Sequence, residues 1–248
     1  MKLTHNSLFS GIGGFDLAAE WMGWDNVFQC EIDKWCLKVL CKNFPNTNKY
    51  TDIKQFDAKK YRGKIDIITG GVPCQPFSVA GERKGEKDER YLFDEAVRVV
   101  GEIKPKLVLF ENVKGLVSQD NGNTLEKILT SLEAEGYETQ PFIISASSVG
   151  CNHRRDRTWI LGWDSNQIGC LWDKGEVAKV SNENTNPQRV SFGKVQPCLD
   201  GELDGIPKGL DTNKRIEGLA NAVVPELAYQ IFKCVQMALQ KPKREGKN

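Results

Sequence analysis

The segment Lys106-Leu107-Val108-Leu109-Phe110 constrains the fold more than any other. After its lysine every position is apolar, so as a strand it must be buried on both faces, and such strands belong to sheets covered by helices on both sides. Its neighbours supply those helices. Arg90 to Ile103 reads as a helix before it, and Thr124 to Glu135 as an amphipathic helix after it that ends at Gly136. The same alternation runs from the beginning of the chain. Ser7-Leu8-Phe9 closes a short strand, Ser10-Gly11-Ile12-Gly13-Gly14 is a glycine-rich turn, and Phe15 to Met22 is a helix with Leu17, Ala18 and Trp21 on one side. Val27 to Cys30 is a strand that ends at Glu31, and Asp33 caps a helix carrying Trp35, Leu37, Val39 and Leu40. A further candidate strand precedes Asp52, another covers Asp66 to Thr69 and is broken by Gly70-Gly71, and Pro141 to Ser145 and Thr158 to Leu161 are two more. The expectation is an α/β fold, a mostly parallel sheet with helices on both faces. Such sheets carry their ligand sites at the carboxyl ends of the strands.

The rhythm organises the chain. Residues 1–162 form the expected catalytic and cofactor-binding domain. Residues 163–214 hold many Asn, Gly, Lys, Asp and Pro residues and few apolar ones, with Asn182 to Pro187 a loop or link. Residues 215–240 return to the domain through an apolar helix with Val224, Leu227, Ile231, Val235 and Leu239, and 241–248 is a polar, basic tail.

The polar and glycine-containing segments fall at the strand ends. A glycine turn between a strand and a helix lets backbone amides approach a ligand, although a GxGG sequence also makes a plain tight turn. Glu31 closes the second strand, where an acidic side chain can accept hydrogen bonds from two ribose hydroxyls, and Asp52 is placed to accept an adenine amine. The turn lacks the spaced pattern of a dinucleotide site, which points to a nucleoside cofactor without a pyrophosphate. In Gly70-Gly71-Val72-Pro73-Cys74-Gln75-Pro76-Phe77-Ser78, Pro73 and Pro76 stiffen the backbone around a thiol that follows a strand. A structural cysteine more often sits in an apolar run, so Cys74 is a candidate nucleophile. Glu111 follows the apolar strand. Arg155 and Arg157 precede another and alternate, so both point the same way, into a site or as a charged surface turn.

A net charge of +1 provides no global positive field, so a nucleic-acid site must come from a local patch. The eight cysteines include no CxxC pair and the only histidines are His5 and His153, which argues against structural zinc and for reduced thiols in a cytoplasmic setting. No apolar run is long enough to span a membrane, and the residues after Met1 lack the apolar stretch of a secretory signal.

Taken in order, these segments resemble the DNA cytosine C5-methyltransferases, and closely the small phage- and prophage-encoded ones. Leu8 to Phe15 resembles the family's first cofactor motif, Glu31 and Asp52 its next acidic contacts, and Ile32 the residue that packs on the adenine. Pro73-Cys74-Gln75 resembles the nucleophile motif, and Glu111-Asn112-Val113 the ENV motif. His153-Arg154-Arg155-Asp156-Arg157 resembles QxRxR, with His for Gln, and Ala220-Asn221-Ala222-Val223 resembles GNAV, with Ala for Gly. The resemblance implies a Rossmann-like S-adenosylmethionine-dependent fold and a reaction that leaves S-adenosylhomocysteine, without a metal. It implies cofactor contacts by Phe9, Ser10, Gly11, Gly13, Gly14, Glu31, Ile32, Asp52, Ile53, Gly71, Pro73, Leu92, Asn221, Ala222 and Val223. It assigns covalent attack to Cys74, the base N3 to Glu111 and the base O2 to Arg155, with Arg157 supporting Arg155 or orienting the cysteine loop. DNA contacts are expected from Gln75, Ser78, Arg83, Lys84, Lys87 and Arg90, with Gly81 to Arg90 closing over a flipped base.

Duplex DNA is the expected partner, bound by a monomer, with room for a cognate restriction endonuclease and no role for a membrane. The gap between the arginine motif and the closing motif is short for a target-recognition region, so a short or degenerate recognition site is expected. Two rival readings share the scaffold: an RNA-directed enzyme, against which no Cys-Phe-Thr segment is found, and an inactive binding homologue, against which the acidic, arginine and cysteine positions stand.

Overall fold

The computed structural model describes residues 2–73, 92–151, 155–168, 218 and 221–239. A seven-stranded sheet has the order β3-β2-β1-β4-β5-β7-β6. Its strands are β1 (Thr4–Leu8), β2 (Asp25–Cys30), β3 (Asn48–Tyr50), β4 (Ile67–Gly71), β5 (Leu107–Val113), β6 (Glu138–Ser145) and β7 (Asp156–Trp163). β7 alone runs against the others, antiparallel to both β5 and β6. Strand order reverses direction at β1, between β2 and β4, and such a switch opens a crevice at the carboxyl edge.

The two faces follow from alternation along the strands. Leu107 and Leu109 point into one core cluster with Ile67, Trp159 and Leu161, whereas Val108 and Phe110 point into the other with Ile68 and Ile160. The first face is covered by α1 (Gly14–Trp21) and by the C-terminal helix, labelled α6 (Pro225–Leu239), which buries Leu227, Ala228, Ile231, Phe232 and Val235. The second is covered by α3 (Leu92–Ile103), with Ala96, Val99, Val100 and Ile103 at helical spacing, and by α4 (Asn123–Ala134). α2 (Lys34–Asn43) starts as expected at Asp33, whose carboxylate accepts from the Trp35 and Cys36 amides. A short α5 (Ser165–Ile168) follows β7.

Several local expectations shift. Gly70 and Gly71 do not break the fourth strand but continue it, Gly70 pairing with Leu8 and Phe110. β5 runs on through Glu111, Asn112 and Val113, so the carboxyl is part of the strand. In α1 the buried side is Phe15, Asp16, Ala18 and Ala19, and Leu17 and Trp21 flank it. β7 passes the expected boundary at 162 by one residue. The expected recognition region lies outside the described residues beyond Ile168, as does the tail.

Beneath α1 two buried groups oppose one another as pH changes. His5 is fully buried between Asn26 Oδ1 (2.6 Å) and Thr69 Oγ1 (2.9 Å), and burial pulls it down to about 4 from 6.5. Asp16 is also fully buried, and burial pushes its carboxyl up from 3.8 to about 6 against the pull of Gln29 and Ser7. The unfolded chain protonates His5 below about 6.5, so that contribution is lost as the pH falls towards 4. The folded chain holds the Asp16 proton up to about 6, so that contribution is gained as the pH falls through the same range. The two nearly cancel. Asp16→Asn removes one of them and should lose about 3 kcal/mol relative to wild type as the pH drops from about 6 to about 4. Urea unfolding of both proteins at the two pH values measures this, and a pH-independent difference would sink the assignment.

Candidate active site

A cavity of about 750 Å³ opens at the carboxyl edge of the sheet. Phe9 and Gly11 follow β1, Glu31 and Ile32 follow β2, Asp52 and Ile53 follow β3, and Gly71 and Pro73 come from the end of β4. Glu111 comes from β5, and because β7 is antiparallel its beginning delivers Arg155 and Arg157 to the same edge. Leu92 and Asn221 complete the expected residues found in its wall. Pro73 is the last described residue before the expected nucleophile. Cys74 and the expected DNA contacts Gln75, Ser78, Arg83, Lys84, Lys87 and Arg90 lie outside the described residues, as do His153, Arg154 and Ala220.

At one end the donors and acceptors suit a nucleoside. Glu31 Oε2 accepts from the Gly11 amide at 2.7 Å, and Oε1 accepts from the Asp33 amide at 2.8 Å. The carboxylate is thereby aimed by two amides whose own positions are set by the strand ends. Burial raises its proton affinity, and the two amides oppose the rise. Ile32 beside it is 70% exposed, an apolar surface offered to the cavity. Asp52 Oδ1 accepts from the Lys54 amide at 2.9 Å and so caps the 3-10 turn Ile53–Gln55. Phe9 takes a left-handed φ of 52°, which turns the chain sharply out of β1 and is a local strain of the kind held at binding sites.

At the other end Glu111 is 7% exposed and accepts from Arg157 Nε at 2.8 Å. Burial raises the Glu111 proton affinity even though Arg157 and Arg155 both pull it down. Burial, then the Arg157 charge, lowers that of Arg155. A carboxyl that retains its proton beside two guanidinium groups can donate to one ring nitrogen while a guanidinium donates to an adjacent carbonyl oxygen. The Arg157–Glu111 pair was not anticipated in the sequence. It arises because β5 and β7 place Val113 opposite Arg157, which brings Glu111 and Arg157 close on one face.

Other expected residues lie beside the cavity and not in its wall. Ser10 Oγ is buried against Ser7, and the Ser10 amide donates to Cys30 O. Gly13 has φ 92° and a β-carbon there would sit 2.4 Å from the Phe44 ring; one on Gly14 would meet Val223 O at 2.4 Å. Gly13 and Gly14 therefore serve close packing, against α2 and against the segment before α6. Val223 is buried in the first core face, and Ala222 is outside the wall as well.

Two residues were given no role of their own in the sequence reading. Asn112, buried within β5, donates from Nδ2 to Val72 O at 3.0 Å and accepts from the Val113 amide at 2.8 Å, tying the strand to the loop that leads to Pro73. A polar residue in a fully buried strand was the available signal. Arg98 of α3 donates from Nη2 to Ile53 O at 2.6 Å and from Nη1 to Phe56 O at 3.3 Å, with Glu102 also accepting from Nη1 and Glu95 from Nε. It fixes the turn after Asp52, and as an ordinary charged position on a helix it carried no signal.

A family model described as C-5 cytosine-specific DNA methylase matches residues 3–236. An orphan methyltransferase, M.SPRI of Bacillus phage SPR, is 39% identical over 166 residues, covering 65% of this chain and 38% of that protein. The type II methyltransferase M.DsaV of Dactylococcopsis salina is 37% identical over 224 residues, covering 89% of this chain and 59% of that protein. A crystal structure from Escherichia coli, described as a DNA modification methyltransferase encoded within a prophage, superposes with a TM-score of 0.57 at 29% identity, over 66% of this chain and 47% of the other. Among the curated relatives compared, the aligned part amounts to between 33% and 59% of their own length.

Proposed function

We propose, from the premise that this chain belongs to the C-5 cytosine-specific DNA methylase family, that it methylates C5 of a cytosine flipped out of duplex DNA with S-adenosylmethionine as donor. The observation that carries this reading is one cavity whose wall joins Glu31, Ile32 and Asp52 to Glu111, Arg155 and Arg157. The residues at the first end fit the cofactor. Glu31 would accept from the ribose hydroxyls, Ile32 would pack on the adenine, and Asp52 would take its amine. When bound, S-adenosylmethionine supplies an electrophilic methyl group.

The chain's own groups must make cytosine C5 nucleophilic. In this reading the Cys74 thiolate adds to C6, and the electron pair displaced from the C5–C6 bond makes C5 reactive. Glu111 donates a proton or hydrogen bond at N3, Arg155 donates to O2, and both draw off the charge that addition pushes into the ring. Arg157, paired with Glu111, holds that carboxyl in place. With C5 bonded to the methyl carbon in place of that carbon's bond to sulfur, loss of the C5 proton and elimination of the Cys74 thiolate would restore the C5–C6 double bond and aromaticity. Paired bases hide C6 and N3, so the cytosine must leave the stack. Arg83, Lys84, Lys87 and Arg90 would contact phosphates, and residues 163–214 would read a short or degenerate site. We place the enzyme in a bacterial or phage-infected cytoplasm, acting as a monomer on one base, with or without a companion endonuclease.

Labelled S-adenosylmethionine with unmodified duplex DNA and, in a parallel reaction, with RNA tests the function. Label should appear at cytosine C5; label in RNA instead would favour the RNA-directed reading, and label in neither would favour an inactive homologue. In the same preparation Glu31→Ala should weaken cofactor binding by about 1.5–3 kcal/mol, the loss of a charge-assisted pair of hydrogen bonds. An unchanged calorimetric affinity would remove Glu31 from the pocket.

A further inference from the structure

Asp16 is a fully buried carboxylate in the first turn of α1 that none of these steps uses. A buried carboxylate is costly unless its hydrogen bonds are made, and here they run in a row. Both Asp16 oxygens lie 2.9 Å from Ser7 Oγ. Ser7 Oγ lies 2.6 Å from Ser10 Oγ. Ionised Asp16 only accepts, so Ser7 directs its one proton to Asp16 and Ser10 must donate to Ser7. The Ser10 amide is meanwhile held by Cys30 O at 3.1 Å, at the end of β2. The next amide in the chain, that of Gly11, donates to Glu31 Oε2 at 2.7 Å. The row therefore begins in α1, crosses β1, and ends one residue from the amide that aims Glu31.

We infer that Asp16 is a positioning residue for the cofactor pocket: through Ser7 and Ser10 it seats the Gly11 amide that orients Glu31, and so sets affinity for the nucleoside end of S-adenosylmethionine. The inference rests on the pocket reading given under Proposed function. An anion at the head of the row permits one direction of donation. An amide in its place permits two, because its NH₂ group can donate to Ser7 and release Ser7 to donate elsewhere. The Ser10–Gly11 segment then loses its unique seat while the surrounding core is unchanged in volume.

The test uses the full chain at neutral pH, with S-adenosylhomocysteine as the calorimetric probe. Asp16→Asn should weaken binding about tenfold, a loss of about 1.4 kcal/mol. Tm should be kept, since the cost of burying a charge is removed together with the charge. Turnover at saturating cofactor and KM for DNA should stay within about twofold, which separates positioning from general damage. Ser7→Ala should weaken binding similarly, and the double variant should be no weaker than the worse single one, because both changes cut the same row. Unchanged affinity in either single variant, or additive losses in the double, would overturn the inference. So would an affinity loss accompanied by equal falls in Tm and in saturated turnover, the signature of a loosened core. Failure of the unaltered protein to bind the probe would overturn the pocket reading and this inference together, whereas normal binding by wild type and Asp16→Asn alike would overturn this inference alone.

Discussion

Cys74→Ala should abolish methyl transfer, with turnover down by at least about a thousandfold, while cofactor affinity changes little. The reason is chemical. Cytosine C5 has no appreciable nucleophilicity until a group adds at C6, and Cys74 is the group that makes this addition in the proposed reading. Loss of a covalent nucleophile in enzymes that depend on one costs several orders of magnitude, because the remaining groups only bind and polarise. The cofactor is held at the other end of the cavity, by Glu31, Ile32 and Asp52 in the proposed reading, so binding should survive. Turnover by rapid quench and cofactor affinity by calorimetry on one preparation decide the matter. Retained turnover would sink the covalent mechanism.

Glu111→Gln should lower turnover by about 10²–10³-fold, the range for removing a general acid or a charge-stabilising donor from a closed site. Cofactor affinity should again be nearly kept. Glutamine preserves the shape and an oxygen for the Arg157 hydrogen bond, so the loss would isolate the proton and not the packing. In the protein the carboxyl is pulled two ways: burial raises its proton affinity, and the two arginines lower it, with burial prevailing. The protonated donor is therefore present to higher pH than for an ordinary glutamate and is lost as the pH rises through its raised value. Thiolate formation at Cys74 pushes the rate in the opposite direction, so wild type should show a bell-shaped profile in kcat/KM for DNA. Glu111→Gln should lose the descending limb that belongs to the carboxyl. A variant that keeps the full rate, or one whose profile still falls where wild type falls, would take Glu111 out of the proton-donating role.

Much of the scaffold was legible in the amino-acid order because the relevant forces are local. Apolar runs such as Leu107 to Phe110 are long enough for a doubly buried strand and too short for a helix. Asp33 is an N-cap by its side chain alone, and the helix spacing of Ala96, Val99, Val100 and Ile103 fixes which side of α3 is buried. Glu31, Asp52 and Glu111 were legible for the same reason: each lies at or just past the carboxyl end of a strand, and in a sheet of this kind those ends share one edge. Arg155 and Arg157, left open by the residues themselves and assigned to the base only by the family resemblance, join those three in one cavity wall through the antiparallel β7.

Pairing over long separations was not legible. The Arg157–Glu111 contact depends on β7 inserting antiparallel between β5 and β6, in a register that sets Val113 against Arg157. A shift of one residue would turn both arginines to the opposite face, and nothing within either strand states its partner or register. The glycine turn shows the same limit. The sequence by itself determined that the turn would be tight, that Glu31 would follow the second strand and that Asp33 would cap its helix, since those depend on neighbours in the chain. Only the tertiary structure decided that Gly13 yields room to Phe44 and Gly14 to Val223. Those outcomes depend on which distant surfaces come to share a volume, and close packing assigns that space only once the sheet has assembled.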